Sequence, residues 1–233
     1  MSAIFKREVR SYFTSPIGYI IVLVYLMLYS YLFTVLFSVG NPDISLVFSY
    51  SSSITMFLIP VLTMRLFSEE RRQKTDQALF TAPVSIVGIV MGKFLAALAV
   101  FALSQAILII FQFIFAFNVA VDWVGFFSYM FGTLLMAATL IAIGGFISAL
   151  TDSQIVAAVG SLGVSLLLTM LDTVASSIDN KFFASVFGWV SFTGRYQTYL
   201  EGIFDIANTV FFISLAAIFV FLTVRVQESK RWA

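Results

Sequence analysis

There is no cysteine and no histidine in the chain. Disulfides, thiolate or imidazole metal sites, and nucleophilic chemistry built on cysteine or a Ser-His pair are excluded together. Charge is nearly as scarce. Asp, Glu, Lys and Arg make up 11% of the residues, where an ordinary soluble domain has about 25%. A net charge of +1 creates no global field to gather nucleic acid, so no nucleic-acid partner is expected. No ionisable side chain falls in the middle of a long apolar run, which disfavours an ion channel or a proton-coupled carrier. No metal or cofactor and no catalytic residue are expected, because the carboxylates Asp172, Asp179, Glu201 and Asp205 show no tight spacing.

Apolar residues dominate what remains, at 61% of 233, above the soluble norm of about 45–50%. A soluble fold of this size cannot keep so much apolar surface from water, so lipid is the expected solvent. A helix crosses the hydrocarbon core with about 20 apolar residues. Charge-poor runs of that length place six spans at 17–39, 44–64, 94–118, 126–150, 154–172 and 206–225. The expected fold is an all-α polytopic membrane domain. Lys6, Arg7, Arg10, Arg65, Arg71, Arg72, Lys74, Lys93, Arg225, Lys230 and Arg231 fall on one side of these spans, and only Lys181 and Arg195 on the other. Acidic residues do not discriminate. This bias predicts a multi-pass protein of the cell membrane with both termini in the cytoplasm.

Residues 1–15 are expected to form an interfacial helix. Phe5, Val9, Tyr12 and Phe13 fall on one arc at helical spacing, and Lys6, Arg7 and Arg10 on the opposite arc. Pro16 ends that helix. The segment 66–92 is the only sizeable cytoplasmic loop. It opens with Ser68-Glu69-Glu70-Arg71-Arg72, which continues the second span, and then offers Thr75 or Asp76 as the cap of a short helix stopped by Pro83. Leu79 and Phe80 put apolar side chains on that helix, which need lipid or protein as a partner. Gln105 and Gln112 share one face of the third span and either line a pathway or bind a neighbouring helix. Residues 175–204 form an outer region. Within it Arg195, Tyr196, Tyr199 and Glu201 stand at headgroup depth, as an interfacial anchor or as a gate.

The run Glu69-Glu70-Arg71-Arg72-Gln73-Lys74-Thr75-Asp76-Gln77-Ala78-Leu79-Phe80-Thr81-Ala82-Pro83-Val84-Ser85, followed by Gly92-Lys93-Phe94-Leu95, resembles the first cytoplasmic loop of ABC-2 type transporter permeases. Phe5-Lys6-Arg7-Glu8 with Ser15-Pro16 resembles the opening of that family, and Ser148-Ala149-Leu150-Thr151-Asp152-Ser153-Gln154 its second cytoplasmic turn. The likeness covers essentially the whole chain and is closest to the gliding-motility-type and copper-processing-type branch. Two positions depart from the pattern: Lys74 stands where glycine is usual, and Gln77 where glutamate is usual.

The resemblance implies a non-catalytic permease subunit of an ATP-binding cassette exporter or flippase. A separate cytoplasmic ATPase would be its partner, consistent with the lack of a Gly-rich phosphate-binding loop here. A second permease chain, identical or not, would complete the pathway, and an extracytoplasmic accessory subunit is compatible with the small outer loops. Residues 1–15 would be the connecting elbow, and 76–81 the coupling helix seated in the ATPase. Glu69, Glu70, Arg71, Arg72, Thr75, Asp76, Leu79 and Phe80 would form the coupling site, and 175–204 short re-entrant helices. The alternatives are an integral membrane enzyme and a structural or assembly subunit without transport.

Overall fold

The computed structural model describes residues 2–39, 43–75, 84–117, 121–177 and 191–232. Among them the chain is mostly helical and has no strand. In order, the helices are α1 (Ser2–Thr14), α2 (Pro16–Ser38), α3 (Ile44–Thr63), α4 (Ser68–Arg72), α5 (Ile86–Ala116), α6 (Trp123–Leu150), α7 (Gln154–Ser177), α8 (Phe192–Leu200) and α9 (Ile206–Trp232). Short polar residues in the connections start several of them. The carboxylate of Asp43 accepts from the Ser45 N–H and that of Asp122 from the Val124 N–H, while Ser85 and Ser191 accept from Gly88 and Gly194. Each satisfies a donor that the first helical turn leaves unpaired. Ser15 is extended and Pro16 opens α2, a position where its missing N–H costs nothing.

Five helical stretches are long and apolar enough to cross a bilayer: Pro16–Ser38, Ile44–Arg72, Ile86–Ala116, Trp123–Leu150 and Ile206–Arg231. The apolar part of α7 that meets the same description, Gln154–Met170, is shorter. The protein is therefore a polytopic all-α membrane protein. Its centre is α6, which packs against α3, α5, α7, α8 and α9. Along α2 and α9, by contrast, few side chains are buried. Exposed Tyr19, Met27, Ile155, Val159, Ile206 and Ile213 would be untenable in water and are at ease in lipid.

Helices in lipid gain little from hiding apolar surface from one another, so close packing and interhelical hydrogen bonds hold the bundle together. Phe33 of α2 lies 4.7 Å from the Phe111 ring and 4.6 Å from the Phe115 ring of α5. Tyr25 donates to Thr55 at 3.0 Å, joining α2 to α3. Thr139 of α6 donates to the Phe212 carbonyl of α9 at 3.1 Å. Gly144 lets α6 approach α3: a Cβ there would stand 2.8 Å from the Cβ of Thr63. α3 runs through Pro60 without ending, and the chain turns only after Thr63.

Two expectations change. The helix containing the third span begins at Ile86, not 94, so the connection expected over 66–92 is helical over its last part. Lys93, counted among the basic residues that flank the spans on one side, is 1% exposed and lies inside α5. α1 forms as expected, yet its buried face is Ile4, Glu8 and Tyr12, while Phe5, Val9 and Phe13 are half-buried. The face turned inward is chosen by contact with α5, where Gly92 makes room for Ile4.

Substituting Gly144 by Ala tests the packing of α6 on α3. Overpacking at that contact is expected to cost about 1–3 kcal/mol, read as a lower thermal unfolding midpoint in detergent. Gly163→Ala, with nothing within 4 Å of the new methyl, should leave the midpoint unchanged or raise it slightly, by up to about 1 kcal/mol of helix propensity.

Candidate coupling site

The charged stretch after α3 folds back on the bundle. Ser148 of α6 is the stitch. Its hydroxyl accepts from the N–H groups of Phe67 and Ser68 at 3.1 and 3.2 Å and donates to the Met64 carbonyl at 3.0 Å. One buried side chain thus satisfies the turn after α3 and the start of α4 together.

Behind α4 lies a buried cation. Lys93 donates to the Leu66 carbonyl at 2.7 Å, sits 3.0 Å from Glu70 and 3.4 Å from Glu8, and stands over the Phe67 ring. An ammonium has three donors, and here they meet α1, α4 and the turn between α3 and α4. Arg7 bridges Glu8 and Glu70 at 2.7 Å each. Burial works against the charge of Arg7, but hydrogen bonds and attraction from Glu8 and Glu70 outweigh it and raise its pKa. Arg65 pairs with Glu69 at 2.8 Å and donates to Ser15 at 2.6 Å. Tyr12 donates to the Leu62 carbonyl at 3.0 Å, and burial raises its pKa, so the phenol stays neutral. These groups line a polar cavity of about 310 Å³ between α1, α4 and α5.

Arg71 extends the network the other way, to Asp152 in the turn between α6 and α7, at 2.7 Å. Lys230 of α9 donates to the Ala149 carbonyl at the end of α6. One end of the bundle therefore gathers α1, α4, the first half of α5, the end of α6 and the end of α9.

Of the expected coupling residues, Glu69, Glu70 and Arg71 are clasped to the bundle in this way, whereas Arg72 and Thr75 are exposed. Asp76, Leu79 and Phe80 lie outside the described residues. Thr75 donates to the Glu70 carbonyl. Its N–H also bonds to that carbonyl at 2.9 Å, and the Lys74 N–H to the Arg71 carbonyl at 3.0 Å. These two bonds are the Schellman ending of α4, which places its second residue past the helix in the left-handed region. That residue is Lys74, with φ 56°. The position where the pattern has glycine is thus the one where the backbone favours it.

At the other end, α8 is sewn into the bundle. Tyr196 is hydrogen-bonded to Thr133 at 2.9 Å and Tyr199 to Thr209 at 2.6 Å, both side chains buried. Arg195 donates to Asn208 at 2.8 Å and lies over Phe211, while Glu201 is exposed. Gln105 and Gln112 are buried within α5, and neither amide atom of Gln105 has a hydrogen-bond partner among the described residues. Sequence reading missed Lys93, Glu8 and Ser148 as a unit. The hints available were an acidic residue on a basic helix and a lysine directly after Gly92.

The model of the ABC-2 family transporter proteins matches residues 2–226. The chain belongs to that family, and its class is that of a transmembrane transporter subunit. No curated protein matches it significantly.

Lys74→Gly is expected to stabilise the protein by about 1 kcal/mol, because it removes the left-handed penalty of a residue bearing a Cβ. Lys74→Ala keeps the Cβ and should give no such gain. Thermal unfolding of the purified variants in one detergent compares the two.

Proposed function

We propose that this chain is the permease half of an ATP-driven exporter or flippase, working with a separate cytoplasmic ATPase that hydrolyses the nucleotide. Six crossings are proposed: the five apolar stretches and α7, whose 24 residues reach about 36 Å at 1.5 Å each. Both termini, α4 and the loop after it face the cytoplasm. The observation that carries the reading is the convergence of basic side chains at one end of the bundle: Arg7, Arg65, Arg71, Lys93 and Lys230 all bond there. That is the distribution expected of a cytoplasmic face.

Under this reading α1 is the elbow. The segment 76–81 is the coupling helix, seated in the ATPase through Leu79 and Phe80. Glu69, Glu70 and Arg71 serve as its mounting and leave Arg72 and Lys74 for contact with the motor. A second permease chain shares the pathway. Tyr196 and Tyr199 act as fastenings of the outer region, about which Arg195 and Glu201 form its rim. A lipid-linked or amphipathic substrate suits a membrane domain whose spans carry few charges.

Copurification tests the coupling assignment. An ATP-binding subunit should come down with the tagged chain from native membranes, and Leu79→Asp with Phe80→Asp should reduce its recovery by roughly tenfold or more, since a charge is forced into an apolar contact. Undiminished recovery, with the chain still folded, would count against 76–81 as the docking helix.

A further inference from the structure

A groove of about 590 Å³ runs along the outward side of α5, α6 and α9. Its lining includes the small side chains Ala138 of α6 and Ala216 and Ala217 of α9, and is apolar apart from Arg225 and Glu228. Those two are the last residues of α9 that line it, and they pair at 2.9 Å. Arg225 is also held over the Phe221 ring, 5.0 Å from its centre. The charges therefore stand at the rim of the apolar slot.

The chemistry of the rim selects the occupant. From Phe212 to Glu228 the groove follows α9 for about 24 Å at 1.5 Å per residue, a length that accommodates an acyl chain. Large apolar sites with a few convergent polar groups are the usual form of a small-molecule pocket. The polar end is a neighbouring cation and anion, each side chain still partly open, at 64% and 36% exposed. An arginine has five N–H donors and a carboxylate about four acceptor sites, so the internal pair leaves capacity on both. A phosphate beside a primary ammonium complements this arrangement, with phosphate on Arg225 and ammonium donating to Glu228. A purely anionic headgroup meets Glu228 unfavourably, and a quaternary ammonium has no proton to donate.

We propose that this groove is a binding site for a phosphoethanolamine lipid, with one acyl chain in the apolar slot and the headgroup between Arg225 and Glu228. The site lies on the leaflet nearest the chain termini. It is independent of the ATPase assignment, because it requires only that the helices stand in a bilayer.

The full chain is reconstituted in discs of equal parts dioleoyl phosphatidylethanolamine, phosphatidylcholine and phosphatidylglycerol, and the lipids retained are measured by native mass spectrometry. The wild type should keep the ethanolamine lipid at least about fivefold over either other lipid. Glu228→Gln should bring the ethanolamine and choline lipids to parity, and Ala217→Trp, which fills the slot from an exposed position, should release all three. The proposal is overturned by equal retention of all lipids in the wild type, or by preference for the glycerol lipid. It is overturned equally if Ala217→Trp leaves retention unchanged, or if that variant separates paired chains without altering lipid.

Discussion

A lysine ammonium sealed inside a helix bundle is the condition around which one end of this molecule is arranged. Withdrawing a charge from water costs several kcal/mol unless its partners and hydrogen bonds are all in place. Lys93 meets that demand with the Leu66 carbonyl and the carboxylates of Glu70 and Glu8. Each partner belongs to a different part of the chain. Glu8 fixes which face of α1 turns inward, Glu70 fixes where α4 lies, and Leu66 fixes the turn that joins α4 to α3. The first helix is consequently packed into the bundle through these contacts.

The remainder of the bundle is held differently. Glycine at 144 and hydroxyls at 55, 139 and 148 bring helices together where burial of apolar surface offers little between neighbours. The central α6 touches both systems. Ser148 ties it to the turn before α4, and Ser128 and Thr133 tie it to α8 at the far end. Under the proposed coupling, a push on the segment after residue 75 would reach α1, α5 and α6 together, since α4 is bonded to all three. The left-handed Lys74 sets the direction in which the chain leaves that mounting.

Much of this could be read in the amino acids alone. The lack of charge over long runs gave the membrane class, and the loop pattern around Glu69–Pro83 gave the family. What escaped were pairings between distant residues. Lys93 looked like a flanking lysine because its partners are far off in sequence, and a charge count takes each ionisable residue as a break in a span. The inward turn of Glu8 on α1 is hidden for the same reason: its partner on α5 is 85 positions away. The Tyr196 contact depends on Thr133, 63 positions earlier in the chain, which no local pattern encodes.

The central claim is that the Lys93 cluster holds α1 onto the bundle, and backbone hydrogen exchange measures it most directly. Lys93→Met keeps the length of the side chain and removes its charge, leaving Glu8 and Glu70 to share Arg7. The amides of 4–14 and 68–72 are expected to exchange about tenfold faster or more in this variant, while those in the middle of α6 and α9 keep their protection. Unchanged exchange in α1, or an equal loss of protection across every helix, would contradict the account.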